Sequence, residues 1–272
     1  MFRSFKRYLL FLLVLLALSS CASLSPNGVG RVKRYGIYSE ELPEAFDGYS
    51  IAFVSDVHYP SKFTRGNLAK IVSRLRRETP DLLLLGGDYV TSDIYIEELF
   101  DSISSVKATD GIYAVLGNHE RRNEEKIRQS MSLHGITLLA DEAVDIRRGD
   151  EAIHVVGIYD GFKYDPSVVQ PAESFPESVY VVLLCHTPDY AERTNTTADL
   201  TLSGHTHGGQ VSLFGLYTPV KNTVYGNRFL KGINETASGS TIITTTGVGT
   251  SRHKVRFCVP SELVLVTLYV AE

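Results

Sequence analysis

Two textures of apolar patterning divide this chain. In the first, unbroken apolar runs at residues 49–55, 81–85 and 112–116 read as strands buried on both faces. Between them, Leu68, Ile71, Val72 and Leu75 repeat at helical spacing, with Asn67 as the expected cap. Ile96, Leu99, Phe100 and Ile103 repeat the pattern behind Ser92 or Asp93, and a weaker helix is expected over residues 124–134. Lys70, Arg74, Arg76 and Arg77, on the polar side of the first helix, read as a solvated face. Strand alternating with helix three times is the α/β signature, which places ligands at the carboxyl ends of the strands.

After Gly135 the texture shifts to short strands with polar turns, at residues 136–139, 144–147, 152–159 and 179–184. Thr187-Pro188 reads as the cap and first position of a short helix. A strand at 200–202 follows, then a Gly-, Tyr- and Asn-rich stretch expected to form loops and a hairpin. Strands at 241–246 and 263–269 close the domain, and 32–38 supplies a first strand. No internal repeat is visible.

The first 21 residues belong to a different class. Arg3, Lys6 and Arg7 precede an apolar run at 9–18, shorter than the ~20 residues a spanning helix needs. Leu18-Ser19-Ser20-Cys21 then resembles the bacterial lipoprotein signal, in which Cys21 is lipidated and becomes the mature N-terminus. An uncleaved hydrophobic anchor is the other reading, and in both the body of the chain is expected outside the cytoplasm. The organisation is therefore a targeting segment at 1–21, a tether at 22–31 and one domain at 32–272.

Composition is that of an ordinary globular protein: 272 residues, 43% hydrophobic and 21% charged. A net charge of −4 gives no basis for nucleic-acid binding by bulk charge. The three cysteines, Cys21, Cys185 and Cys258, form no CxxC pair, so neither a disulfide framework nor a thiolate zinc site is indicated.

The chemistry is carried at the strand ends. Gly204-His205-Thr206-His207-Gly208-Gly209-Gln210 holds two histidines that, in an extended segment, would point the same way. Upstream lie Asp56-Val57-His58, Gly87-Asp88, Gly117-Asn118-His119-Glu120 and Cys185-His186. Asp56, His58, Asp88, Asn118, His186, His205 and His207 can all ligate a metal through O or N. Seven ligands imply two ions, with a carboxylate such as Asp88 as the natural bridge. Two such ions form a clamp for in-line displacement at phosphorus. Two aspartates and neutral imidazoles leave two divalent ions with net positive charge, which suits an anionic phosphoester. Manganese, iron or zinc fits this donor set. His134, His154 and His253 belong to no motif and read as structural. Asp160 is a candidate to reach the cleft, and Arg252, Lys254 and Arg256 read as solvated charges, with phosphate binding as the lesser alternative.

These motifs, in this order, closely resemble the calcineurin-like metallophosphoesterases, over about residues 32–268. The resemblance implies a four-layer α/β/β/α sandwich of two mixed sheets flanked by helices. It implies a first metal on Asp56, His58, Asp88 and His207, and a second on Asp88, Asn118, His186 and His205. His119 would stand beside the ions, stabilise the transition state and protonate the leaving oxygen, help worth roughly 10²–10⁴-fold. Gly208-Gly209-Gln210 and the run at 247–251 look like an exported or membrane-attached bacterial branch, some of whose members hydrolyse UDP-2,3-diacylglucosamine. Val259-Pro260-Ser261-Glu262 departs from the adjacent Pro-Glu expected there, at a pocket edge and at no ligand.

The expected protein is a monomeric, membrane-attached two-metal hydrolase of the bacterial envelope. A bridging hydroxide would attack phosphorus in a diester or pyrophosphate with a lipid or envelope component. UDP-linked lipid precursors are cytoplasmic, whereas the leader predicts export, so lipid A assembly and export do not hold together. The alternative from another class is a non-catalytic protein-binding scaffold; such members usually lose ligands, and here all seven are kept.

Overall fold

A computed structural model describes residues 6–8, 30–60, 63–163, 171–176, 178–213, 215–252 and 255–271. Cys21 and almost all of the targeting segment and tether lie outside the described residues, as do His253 and Lys254. Among the described residues no helix is long and apolar enough to cross a membrane.

Two six-stranded mixed sheets face each other. The first is built from β1 (Arg31–Ser39), β2 (Ser50–Val54), β3 (Leu82–Leu85), β4 (Ile112–Ala114), β5 (Thr137–Leu138) and β12 (Glu262–Val270), in the order β1-β12-β2-β3-β4-β5. The second contains β6 (Glu142–Arg148), β7 (Glu151–Gly157), β8 (Val181–Leu184), β9 (Leu200–Ser203), β10 (Gly232–Glu235) and β11 (Thr241–Thr244), in the order β10-β11-β9-β8-β7-β6. β2, β3, β4 and β5 are parallel, as are β7, β8, β9 and β11. β12 lies parallel to β1 and antiparallel to β2.

Strand alternation builds the layers. Ile51, Phe53, Leu82 and Leu84 point from the first sheet toward Val155, Val182, Leu184 and Leu202 of the second. Their neighbours Ala52, Val54, Leu83 and Leu85 point outward onto α1 (Arg65–Glu78), α2 (Ile96–Ser104) and α3 (Glu124–Leu133). Leu68, Ile71, Val72 and Leu75, the four residues at helical spacing, are the buried face of α1. Outside the second sheet, Val156, Leu183 and Ile242 pack with Tyr190 and Ala191 of the five-residue α4 (Asp189–Arg193). This is the flanked two-sheet α/β architecture expected from the motifs.

Several local expectations are corrected. α1 begins at Arg65, so its cap is Thr64, whose Oγ1 accepts from Asn67 N at 3.3 Å, and not Asn67. Pro188 is itself the residue before α4, one position later than expected. The expected hairpin is present as β10 and β11, paired antiparallel.

Candidate metal centre

Each motif sits just beyond a strand, and the two sheets present these ends to one another. β2 delivers Asp56 and His58, β3 delivers Asp88, and β4 delivers Asn118 and His119. β8 delivers His186, and β9 delivers His205 and His207. Asp56, His58, Asp88, His186 and His207 are each at most 2% exposed.

The backbone there is unusual. Asp56, His58, Asp88, His205 and His207 all have positive φ, between 47° and 66°. Asp and His tolerate the left-handed region better than most residues, but each still costs on the order of 1 kcal/mol. The expected extended geometry of the Gly204–Gln210 stretch is therefore wrong. The chain turns sharply at each histidine, and their convergence comes from turns, not strand alternation. Gly87, with φ +90°, allows the loops after β3 and β4 to touch: a Cβ there would lie 2.5 Å from Gly117 N.

Two ligand sets emerge. Asp56, His58, Asp88 and His207 bring one donor atom each within 4.8 Å of one another, and so do Asp88, His186 and His205. In the first set His207 Nε2 lies 3.1 Å from His58 Nε2 and 3.3 Å from Asp56 Oδ1. Asp88 belongs to both: its Oδ2 is 3.5 Å from His58 Nε2 and 3.5 Å from His186 Nε2. Its other oxygen accepts from His119 N at 3.0 Å, which fixes the carboxylate. His119 itself is exposed, with Nε2 3.9 Å from Asp88 Oδ2 and its ring edge-on to His58 at 4.8 Å. It stands beside the two sets and belongs to neither.

The donors suit cations. His186 Nδ1 donates to Gly86 O at 2.6 Å, which turns Nε2 toward Asp88 and the second set. That Nε2 and Asn118 Oδ1 are buried and have no hydrogen-bond partner among the described residues. Such atoms are costly unless something accepts their lone pairs. Burial lowers His58 to about 4 and His205 to about 3, and puts His207 well below the usual range, so at neutral pH these imidazoles are uncharged ligands. Burial raises Asp56 to about 6. Burial opposes ionisation of Asp88 and protonation of His186, but their mutual attraction wins, lowering Asp88 and raising His186 to about 10. A divalent ion would take over that positive charge.

Three supports had no such role assigned from the residue pattern. Ser55 Oγ donates to Asp56 Oδ2 at 2.7 Å, and His205 N donates to the same carboxylate at 3.0 Å. Glu120, fully buried, accepts from Asp88 N, Gly117 N and Tyr89 N at 2.8–2.9 Å, tying the loops after β3 and β4 together. Arg256 is neither solvated nor a phosphate ligand. It is 1% exposed, and its guanidinium donates to Gly249 O and Thr246 O at 2.6 Å, with Gly247 O at 3.2 Å and His207 O at 3.4 Å. Burial pulls its pKa down to about 10, against the opposing charges of Asp56 and Glu262. The segment it holds lies under the first set, where Gly249 N donates to Asp56 O at 2.8 Å. Glu120 carries a weak signal, the acidic residue closing Gly-Asn-His-Glu; nothing near Arg256 in the chain marks it as buried.

Of the other sequence candidates, Asp160 does reach the cleft, beside Asn118. His134 pairs with Glu97 and His154 with Asp145, both away from the centre. Among the described residues Cys185 and Cys258 form no disulfide.

Comparison with known proteins identifies the family. A profile described as calcineurin-like phosphoesterase matches residues 49–209. An uncharacterized metallophosphoesterase of Aquifex aeolicus is 30% identical over 250 residues, 88% of this chain and 91% of that protein. The metallophosphoesterase YkuE of Bacillus subtilis is 28% identical, over 85% of this chain and 83% of its own length. The phosphodiesterase YaeI of Escherichia coli is 30% identical, over 81% and 82%.

Proposed function

Since this chain belongs to the calcineurin-like phosphoesterases and is a metal-dependent phosphoesterase, we propose that it hydrolyses a phosphodiester or pyrophosphate carried by a lipid or cell-envelope molecule. The observation that carries a two-ion reading is the single oxygen of Asp88, equidistant from His58 and His186. In this reading Asp56, His58, Asp88 and His207 hold one divalent ion, and Asp88, Asn118, His186 and His205 hold the other. Manganese, iron and zinc all suit these O and N donors. Two bound ions supply an activated water and neutralise the charge that builds on phosphorus.

The protein's own groups do the rest. The turns after β2, β3 and β9 fix the carboxylates and imidazoles in advance, so little reorganisation is needed during reaction. Asn118 and His119 are adjacent on one turn; His119, exposed at the rim, delivers a proton to the leaving oxygen. Diester preference draws support from the phosphodiesterase relative. The lipid or envelope substrate draws support from the apolar leader and Cys21, read as a membrane anchor with the domain on the non-cytoplasmic side; UDP-2,3-diacylglucosamine fits only if that leader does not export the domain.

The test is turnover of bis(p-nitrophenyl) phosphate and p-nitrophenyl phosphate by protein loaded with manganese, iron or zinc in turn. Diester hydrolysis at least tenfold above monoester hydrolysis is the expected outcome; no turnover with any metal would refute the proposal.

A further inference from the structure

Beside Asn118 a recess of about 160 Å³ opens between the turn that follows β4 and the segment that follows β7. Arg121, Glu124, Tyr159, Asp160, Phe162 and Lys163 form its polar and aromatic wall. Phe162 reaches the metal centre, edge-on to His205 at 4.8 Å, so recess and centre are continuous.

The wall is ordered by its own ion pairs. Both oxygens of Asp160 accept from Arg121 Nη2, at 3.0 and 3.1 Å; Lys163 Nζ adds a contact at 3.2 Å and Phe162 N another at 3.2 Å. Those four contacts use the acceptor capacity of Asp160. Arg121 and Lys163 keep donors to spare, since a guanidinium has five and an ammonium three. Glu124 accepts from Arg128 Nε at 2.7 Å and from Tyr159 Oη at 2.8 Å, leaving each of its oxygens a further lone pair.

Charge decides what fits. The wall carries two cations and two carboxylates, so it exerts no net pull on an anion, and Glu124 opposes one. A hydrocarbon group would match none of these donors and acceptors, although Arg121 and Lys163 are largely exposed and keep water as a partner. A neutral hydroxylated group accepts from Arg121 and Lys163, donates to Glu124, and lays its C–H faces on Tyr159 and Phe162. A volume of about 160 Å³ gives room for a glyceryl arm or one sugar ring.

We propose that this recess is the subsite for an uncharged polyol arm of the substrate, glycerol or a hexose, esterified to the phosphoryl group at the metal centre. The inference rests on the phosphoesterase reading above, because that reading places the phosphoryl group beside Asn118.

The experiment is calorimetric titration of the metal-loaded protein with glycerol 3-phosphate, glucose 1-phosphate, methyl phosphate and 3-phosphoglycerate. One polyol phosphate is expected to bind about tenfold or more tighter than methyl phosphate, and which one does so separates glycerol from hexose. In Glu124→Gln and Arg121→Met that ratio is expected to fall toward one. Equal affinities in the wild type, a ratio untouched by both variants, or tightest binding of 3-phosphoglycerate would overturn the subsite. A polyol preference in a protein that turns over no diester would sink the phosphoesterase reading and leave the subsite standing. Diester turnover without the preference would do the reverse.

Discussion

Replacing Arg256 with Met isolates the contribution of a buried cation that touches no substrate. The change keeps most of the side-chain volume and removes every donor. Thr246 O and Gly249 O, each bonded at 2.6 Å, lose their partner inside the fold. A buried acceptor left unsatisfied costs ~1–3 kcal/mol, so the two give about 2–6 kcal/mol. Removing the desolvation cost of the guanidinium offsets part of this, but Glu262, buried nearby, loses an opposing charge. A net loss of about 3–5 kcal/mol corresponds to a Tm lower by ~6–20 °C for a domain of this size. The second effect is local. Gly249 N bonds Asp56 O and Arg256 bonds His207 O, so the loosened segment disturbs two ligands of the first set and none of the second. One of the two ions should therefore bind ~10–100-fold more weakly, in line with other losses of outer support around metal ligands. Calorimetric unfolding and metal titration of purified protein read the two effects separately. Arg256→Lys, which keeps the charge but offers three donors in place of the fork, should fall between. A Tm within ~2 °C of the wild type, with both ions held as before, would refute the clamp.

Asp88→Asn should lose both ions while far-UV circular dichroism stays unchanged, because the bridging oxygen serves both sets; elemental analysis showing two ions per chain would contradict the shared ligand. Away from the centre, burial raises Asp199 to about 6, so its ionised form is disfavoured in the fold, and stability is lost as pH rises from about 4 through 6. Asp199→Asn, a permanent neutral form, should gain on the order of 1 kcal/mol at pH 8, discounted for its partial exposure, and nothing at pH 3.5; thermal melts at both pH values check the sign. Cys21→Ser should shift the protein from the membrane to the soluble fraction and remove any acyl mass; unchanged partition and mass would dispose of lipidation.

The central strands were readable because burial on both faces leaves no polar positions to confuse the pattern, as in Leu82–Leu85 and Val181–Leu184. The chain's motifs were readable because each follows such a run. What spacing could not supply is the division into two sheets, since β12 meets β1 and β2 across more than two hundred residues. Backbone conformation was also hidden: nothing in the residue types marked His205 and His207 as left-handed. Arg256 was misjudged because arginine is normally solvated, and only the fold reveals five carbonyls converging on it. Thr64 was overlooked as a cap because the apolar repeat of α1 starts a turn after the helix does.

The placement of β12 has a consequence for how the chain comes into being. Glu262–Val270, the last strand synthesised, is inserted between β1 and β2, among the first. β1 therefore has no strand neighbour until β12 is made, and β2 has only β3, so one edge of the first sheet stays open until then. The segment 246–249 that backs the metal-ligating turn after β2 is itself tied to β12 at Glu262, so it settles at the same step. Closure of the first sheet is thus a long-range event, paired across more than two hundred residues, and it couples the metal-ligating turns to the strand β12.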